Sequence, residues 1–224
     1  MNGKPKVIFH IGGHDFHPVY DQGRLLSALL GERCWCRSAE SLAAFEHLDE
    51  CDLLVFLGMY YTGWHGRYRR PGELHKRALE RYVASGRPVV LVHGAVGNYD
   101  DWPGFAQLVG FSWSKRTACF APPGDYPMRV SSAIHAITHG VNDYTVYEAP
   151  PCDVSIAPDL QATVHVRAVW DDREIPVIIT GQGGRVGGAG KSVLFGHGHD
   201  MRCLSHHAVR QLWVNLVEWC LTGA

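Results

Sequence analysis

Residues 87–99 read RPVVLVHGAVGNY. Val89, Val90, Leu91 and Val92 follow one another without polar alternation, which describes a strand buried on both faces, as strands of parallel sheets are. The run ends at His93, and the small residues Gly94, Ala95 and Gly97 come next. A strand that passes into such a stretch makes a tight turn, and the side chain at its tip is exposed in the manner of a nucleophile elbow. Upstream, ELHKRALERYVASG (Glu73 to Gly86) has the apolar spacing of an amphipathic helix and a glycine stop. Before it, DLLVFLG (Asp52 to Gly58) is a second apolar strand. The chain begins the same way, with KVIFHI (Lys6 to Ile11) as a strand and VYDQGRLLSALLG (Val19 to Gly31) as a helix. A short strand at Cys34 to Cys36 and a short helix in SLAAFEHL form a less regular unit between them. Buried strands separated by helices predict an α/β fold with a mainly parallel sheet covered on both faces. Right-handed crossovers then make the arrangement doubly wound.

The second half is less regular. Pro and Gly punctuate residues 103–128, a strand-like MRVSS leads to AIHAITHGV, and Thr163 to Trp170, Pro176 to Thr180 and Lys191 to Gly196 read as strands. The Gly-rich GQGGRVGGAG between the last two is expected to be a hairpin loop. An amphipathic helix from about Ser205 to Leu221, with Leu212, Leu216 and Trp219 on one face, closes the chain. With no linker, repeat or low-complexity segment, residues 1–224 are expected to form a single domain.

Charge excludes several classes of partner. Lys and Arg number 21 against 22 Asp and Glu, with a formal net charge of -1 and no block of like charges. Neither a nucleic-acid footprint nor a membrane-surface patch is present, and no apolar run approaches a membrane span. The seven cysteines show no CxxC pair or disulfide spacing, which points to a reducing cytoplasm. The 14 histidines gather beside glycines at the ends of apolar runs.

In open parallel sheets, ligands sit beyond the carboxyl ends of the strands. Four such ends bring His10, Gly12, Gly13, His14, Asp15 and His17; Gly58, Tyr60, Tyr61 and Trp64; His93, Gly94 and Asn98; and Gly196, His197, His199 and Asp200. Imidazoles, aromatics and small residues on one sheet edge suit a polar pocket for a small ligand. Three readings stay open for His10, His14 and His17 with Asp15: a metal site, helix capping and loop bonding, or ligand contact. His93 reads as a core histidine or as a general acid or base. Glu148, between a strand-like stretch and two prolines, is the carboxylate partner of choice, with a solvated loop position as the alternative. Tyr60, Tyr61 and Trp64 suit a sugar face or a cap on the core. In GQGGRVGGAGKS the first glycine of a phosphate-binding loop would fall at Arg185, and the opening HIGGHD lacks GxGxxG spacing, so no nucleotide cofactor is expected.

Taken in order, GGHDFHP (Gly12 to Pro18), VVLVHG around His93, AIHAITHGV (Ala133 to Val141), VYEAP around Glu148 and IPVIITGQGGRVGGAGKSVLFGHGHD resemble the motifs of the ThuA-like, or trehalose-utilisation, family. That family has the class I glutamine amidotransferase-like fold, of flavodoxin-like build. The resemblance spans nearly the whole chain. It departs at Ala136, where proline is usual, and at Tyr147, where an acid is usual. No cysteine occupies the elbow, so glutamine hydrolysis through a thioester is not implied, while His197 falls where that fold places its triad histidine. The resemblance implies carbohydrate catabolism.

The first expectation is a cytoplasmic enzyme acting on a disaccharide, glycoside or oxidised sugar, with His93 and His197 as acid/base groups and Glu148 orienting one of them. Substrate contacts are expected from His14, Asp15, Tyr60, Trp64, Asn98, His135 and His199. A non-catalytic protein that binds a sugar or polyol is the second expectation, and a metal-dependent hydrolase using His10, His14, His199 and Asp200 is the third. A divalent metal and a homo-oligomer are allowed for; nucleic acid and membrane are not expected as partners.

Overall fold

The computed structural model describes residues 3–62, 68–113, 119–182 and 190–222. Its first half alternates strand and helix: β1 (Lys6–Ile11), α1 (Val19–Leu30), β2 (Trp35–Glu40), a 3-10 segment (Ser41–Glu50), β3 (Leu53–Phe56), α2 (Glu73–Ala84) and β4 (Val89–Val92). Next come a 3-10 turn at His93–Gly97, α3 (Pro103–Val109), β5 (Phe111–Trp113), β6 (Cys119–Phe120) and β7 (Gly124–Val130). A 3-10 turn at Ala136–Thr138 leads to β8 (Tyr144–Glu148), β9 (Pro151–Cys152), β10 (Val154–Ile156), β11 (Gln161–Trp170), β12 (Arg173–Gln182) and β13 (Ser192–Phe195). The chain closes on α4 (Met201–Ser205) and α5 (His207–Leu221).

Among the described residues, nine strands form one sheet in the order β2-β1-β3-β4-β13-β12-β11-β7-β8. Strands β2, β1, β3, β4 and β13 pair in parallel. From β13 onward every pairing is antiparallel. The α/β class, the parallel strands and their helical cover therefore hold. The flavodoxin-like, doubly wound expectation is corrected to a mixed sheet, because β12, β11, β7 and β8 extend it beyond the parallel half.

Period-two alternation in the parallel strands builds two cores. Val7, Phe9 and Ile11 of β1, Leu53 and Val55 of β3, Val90 and Val92 of β4, and Val193 and Phe195 of β13 pack with α1 and α5. Ile8, Leu54, Phe56, Leu91 and Leu194 face the opposite side, against Leu42, Phe45 and Leu48, α2 and α3. Fully burying one such side chain stabilises the fold by about 1.5–3 kcal/mol. The expected C-terminal face is buried at Leu212, Leu216 and Trp219, but the helix divides at His206, whose Nδ1 accepts from Ala208 N at 3.3 Å and starts α5. Segment 41–48 is 3-10 in place of α. The β12–β13 pair is antiparallel, and residues 183–189 of its Gly-rich connection lie outside the described residues.

Candidate functional site

β4 ends at Val92, and His93 turns the chain with φ +49, a left-handed conformation that a side-chain-bearing residue adopts at a cost of about 1–3 kcal/mol. The tip is therefore built as an elbow, yet His93 is only 1% exposed. Its ring stacks on Phe120, centroids 4.6 Å apart and planes at 6°. His93 Nε2 donates to the Ala149 carbonyl at 2.9 Å and faces Glu148 Oε1 at 3.3 Å.

Glu148, the last residue of β8, is the hub. The backbone N–H groups of Ala149 (2.9 Å) and His199 (3.1 Å) donate to its Oε1, and that of Gly198 (2.9 Å) donates to Oε2. His197 Nδ1 lies 3.5 Å from Oε2. Gly198 has φ +138, and a Cβ there would meet Val92 Cγ1 at 2.9 Å, so only glycine brings this N–H onto the carboxylate without strain. Gln22 of α1 fixes the same loop by donating to the Gly198 carbonyl at 2.7 Å. Burial pushes the carboxyl of Glu148 up, but hydrogen bonds and charge from His197 and His93 overturn this and hold it well below its ordinary value. Backbone donors favour the ionised form in the same sense.

Beyond the hub, Tyr144 Oη lies 2.6 Å from His197 Nε2. Tyr144 donates there when the other nitrogen of His197 carries its proton toward Glu148. The Cys203 thiol shares this pocket and is pushed well up by burial, then by the Glu148 charge. On the other side of His93 lie His17 and His199, with ring centroids 4.6 Å and 5.7 Å from that of His93. His17 is pushed down to about 3 by burial and then by His93, and burial also lowers His199. Both rings are therefore neutral acceptors at neutral pH.

The structure thus brings together His93, Glu148 and the His197–His199 loop from three separate segments. It adds His17, Tyr144 and Cys203, of which Tyr144 and Cys203 carry no motif. The other expected residues lie elsewhere. Alternation along β1 turns His10 into the second core, where Nε2 meets Tyr99 Oη at 2.9 Å. His14 Nε2 bonds to the Tyr61 carbonyl at 2.9 Å. Asp200 caps α4, accepting from Arg202 N at 2.8 Å, and pairs with the Arg202 guanidinium. Of the expected metal ligands His10, His14, His199 and Asp200, only His199 joins a metal-type grouping among the described residues, and it does so with His93 and Glu148. Neither His14 nor Asp15 caps α1, which has no side-chain cap.

Asn98 ties two strand ends together, accepting from Tyr60 N at 2.6 Å and donating to the Gly58 carbonyl at 2.9 Å. His135 packs on His165, centroids 4.1 Å apart, and on Trp219, away from the hub. Asp15 and Tyr60 line a separate cleft of about 590 Å³ with Gly13, Tyr20, Glu40 and Ser41. Trp64 lies outside the described residues.

Solved structures with the same architecture include ThuA-like proteins from two bacteria. One from Parabacteroides merdae ATCC 43184 superposes with a TM-score of 0.79 at 15% identity, over 99% of this chain and 91% of that one. Another from Bacteroides uniformis ATCC 8492 gives 0.73 at 14% identity, over 100% and 94%. A cytoplasmic protein from Salmonella typhimurium LT2 gives 0.66 at 12% identity, over 96% and 98%. At these identities the likeness is one of fold. No curated protein matches the sequence. The profile of the trehalose utilisation family, ThuA, matches residues 30–220, a span holding the elbow, Glu148 and the His197–His199 loop, and the chain belongs to that family.

Proposed function

We propose that the protein is a carbohydrate-utilisation enzyme acting on a disaccharide, glycoside or keto-sugar derivative by His/Glu acid–base chemistry. The observation that carries this reading is the buried Glu148 anion, which joins the elbow residue His93 to His197. By holding Nε2–H of His93, the Ala149 carbonyl and Glu148 leave the lone pair on Nδ1, in a ring packed against those of His17 and His199. That nitrogen takes a proton from a sugar hydroxyl or an acidic C–H beside a carbonyl, and the imidazolium so formed, stabilised by Glu148, returns the proton later in the reaction. Tyr144 and His197 hold the far side of Glu148 in register. Histidine at the elbow, where a thiol would be needed, separates this chemistry from glutamine hydrolysis. Free thiols at all seven cysteines and the absence, among the described residues, of a helix long and apolar enough to cross a membrane support a cytoplasmic location.

The test is turnover of a panel of disaccharides, including trehalose, and of keto-sugars by the purified protein and its His93→Asn and Glu148→Gln variants. Turnover reduced at least about 100-fold in both variants is the expected result. A protein that binds a panel member but converts none refutes it. That outcome would favour a second reading, non-catalytic sugar or polyol binding. The observation in its favour is that the cleft lined by Asp15 and Tyr60 lies apart from Glu148.

A further inference from the structure

Beside Glu148, three buried imidazole nitrogens have no hydrogen-bond partner among the described residues: His17 Nε2, His93 Nδ1 and His199 Nδ1. What the opposite nitrogens do decides what these atoms carry. His17 Nδ1 bonds to the His199 carbonyl at 3.2 Å, which requires the proton on Nδ1 and leaves Nε2 of the neutral ring a lone pair. His93 Nε2 bonds to the Ala149 carbonyl at 2.9 Å, so Nδ1 is again a lone pair. Orphaned buried acceptors are costly and rare, and here they are gathered in one place. The His17 and His199 ring centroids lie 5.6 Å apart, and that of His17 is 4.6 Å from that of His93. Ligand-type atoms of His93, Glu148 and His199 all fall within 4.8 Å of one another, and His17 joins this group through its ring contacts with His93 and His199.

We propose that His17, His93 and His199 bind one divalent transition-metal ion of the zinc type, with Glu148 holding the His93 ring from behind. Neutral imidazoles with a carboxylate on the far nitrogen are the donor set such ions prefer over Mg²⁺ or Ca²⁺. Ligands 2.0–2.1 Å from a tetrahedral centre lie roughly 3.3 Å apart, so the three nitrogens draw together on binding, with His199, the most exposed of the three rings, as the one that turns. His17 and His199 come from the ends of different strands, so the ion would also tie the GGHDFHP loop to the His197–His199 loop. The metal deepens the functional reading above and rests on it only for the substrate. The metal and the proton abstraction assigned above use the same Nδ1 lone pair, so with the ion bound His93 would serve as a ligand and the ion would supply Lewis-acid chemistry to a sugar oxygen.

The experiment is calorimetric titration of chelator-stripped protein with Zn²⁺, with Mg²⁺ as the comparison and no sugar present. One equivalent of Zn²⁺ bound with a Kd below about 1 μM, no Mg²⁺ uptake, and affinity reduced at least about 100-fold in His17→Ala and His199→Ala and about 10–100-fold in Glu148→Gln are expected. His135→Ala and His206→Ala, which alter histidines outside the cluster, should bind as the parent does. Absence of Zn²⁺ uptake, or uptake unchanged in both His17→Ala and His199→Ala, overturns the site. If those variants lose their far-UV circular dichroism, the parent loaded with Co²⁺ decides. Intense visible bands of a tetrahedral nitrogen-ligated ion support the site, and the spectrum of the hexaaqua ion overturns it. Zn²⁺ uptake without turnover of any sugar keeps the metal and removes the sugar-processing reading. Turnover that persists in stripped protein showing no uptake does the reverse.

Discussion

Replacing Glu148 with Gln tests the hub directly, because it keeps the volume and removes the charge. The carboxylate accepts three backbone N–H bonds, from Ala149, His199 and Gly198. An amide has one oxygen, so in either orientation its NH₂ group points at a backbone N–H. In the less costly orientation the NH₂ replaces Oε2 and orphans Gly198 N–H, at about 1–3 kcal/mol for an unmade buried bond. The two bonds that remain lose their charge assistance, about 1 kcal/mol each. Relief from burying an anion returns part of this, leaving a net loss of about 3 kcal/mol, at the low end of the roughly 3–5 kcal/mol for breaking a buried ion pair. For a domain of this size that lowers Tm by roughly 6–12 °C. Urea unfolding should show the midpoint falling with m unchanged. Because the folded pKa of Glu148 is depressed below 4.5, its contribution is present above that pH and lost as pH falls through the folded value. The gap between parent and variant should be flat above about pH 5 and close in stronger acid. A variant within about 0.5 kcal/mol of the parent at pH 7 would refute the account of Glu148 as a buried, backbone-held anion.

Three further outcomes follow from the same geometry. Burial lowers His10 from 6.5 to about 3, and lowers His165 to about 4 with His135 adding to the effect. Stability from keeping them neutral is complete above pH 6.5 and is lost as pH falls toward those values, by about 2 kcal/mol each at pH 5. His10→Leu should reduce the loss of stability between pH 7 and pH 5 by about 2 kcal/mol, the share of one such histidine beside His165 and His17, and an unchanged slope would remove the explanation. Gly13→Ala should cost more than about 3 kcal/mol, seen as loss of cooperative thermal unfolding, since its Cβ would lie 2.1 Å from the Met59 carbonyl oxygen at φ +87. Tyr144→Phe removes the donor to buried His197 Nε2 and should lower the urea-derived stability by about 1–3 kcal/mol; a neutral result would mean that His197 has another partner.

The apolar runs at β1, β3, β4 and β13 and the amphipathic spacing of α1, α2 and the C-terminal helix made the parallel half of the sheet legible, because burial on two faces leaves a local hydrophobic pattern. The elbow at His93 was legible for a similar reason: an apolar strand running into small residues has few conformations open to it. β7, β8 and the full lengths of β11 and β12 were less so. Their partners lie far along the chain, and β8 holds Thr145 exposed between buried Tyr144 and Val146, a pattern too short to distinguish from a loop.

Within the site, the residue types and their places at strand ends came from the sequence, including the choice of His93, His197 and Glu148. Their relation to one another was decided by tertiary structure. Which face of β1 a histidine occupies depends on strand register, and that sends His10 to one core while His17, beyond the strand, reaches His93. Glu148 becomes an anion hub only when the β7–β8 hairpin is added at the far edge of the sheet and Gly198 turns its N–H inward. Those hydrogen bonds join residues about 50 positions apart. A linear sequence records the groups that can make such contacts, but the packing of the two sheet halves determines which of them meet.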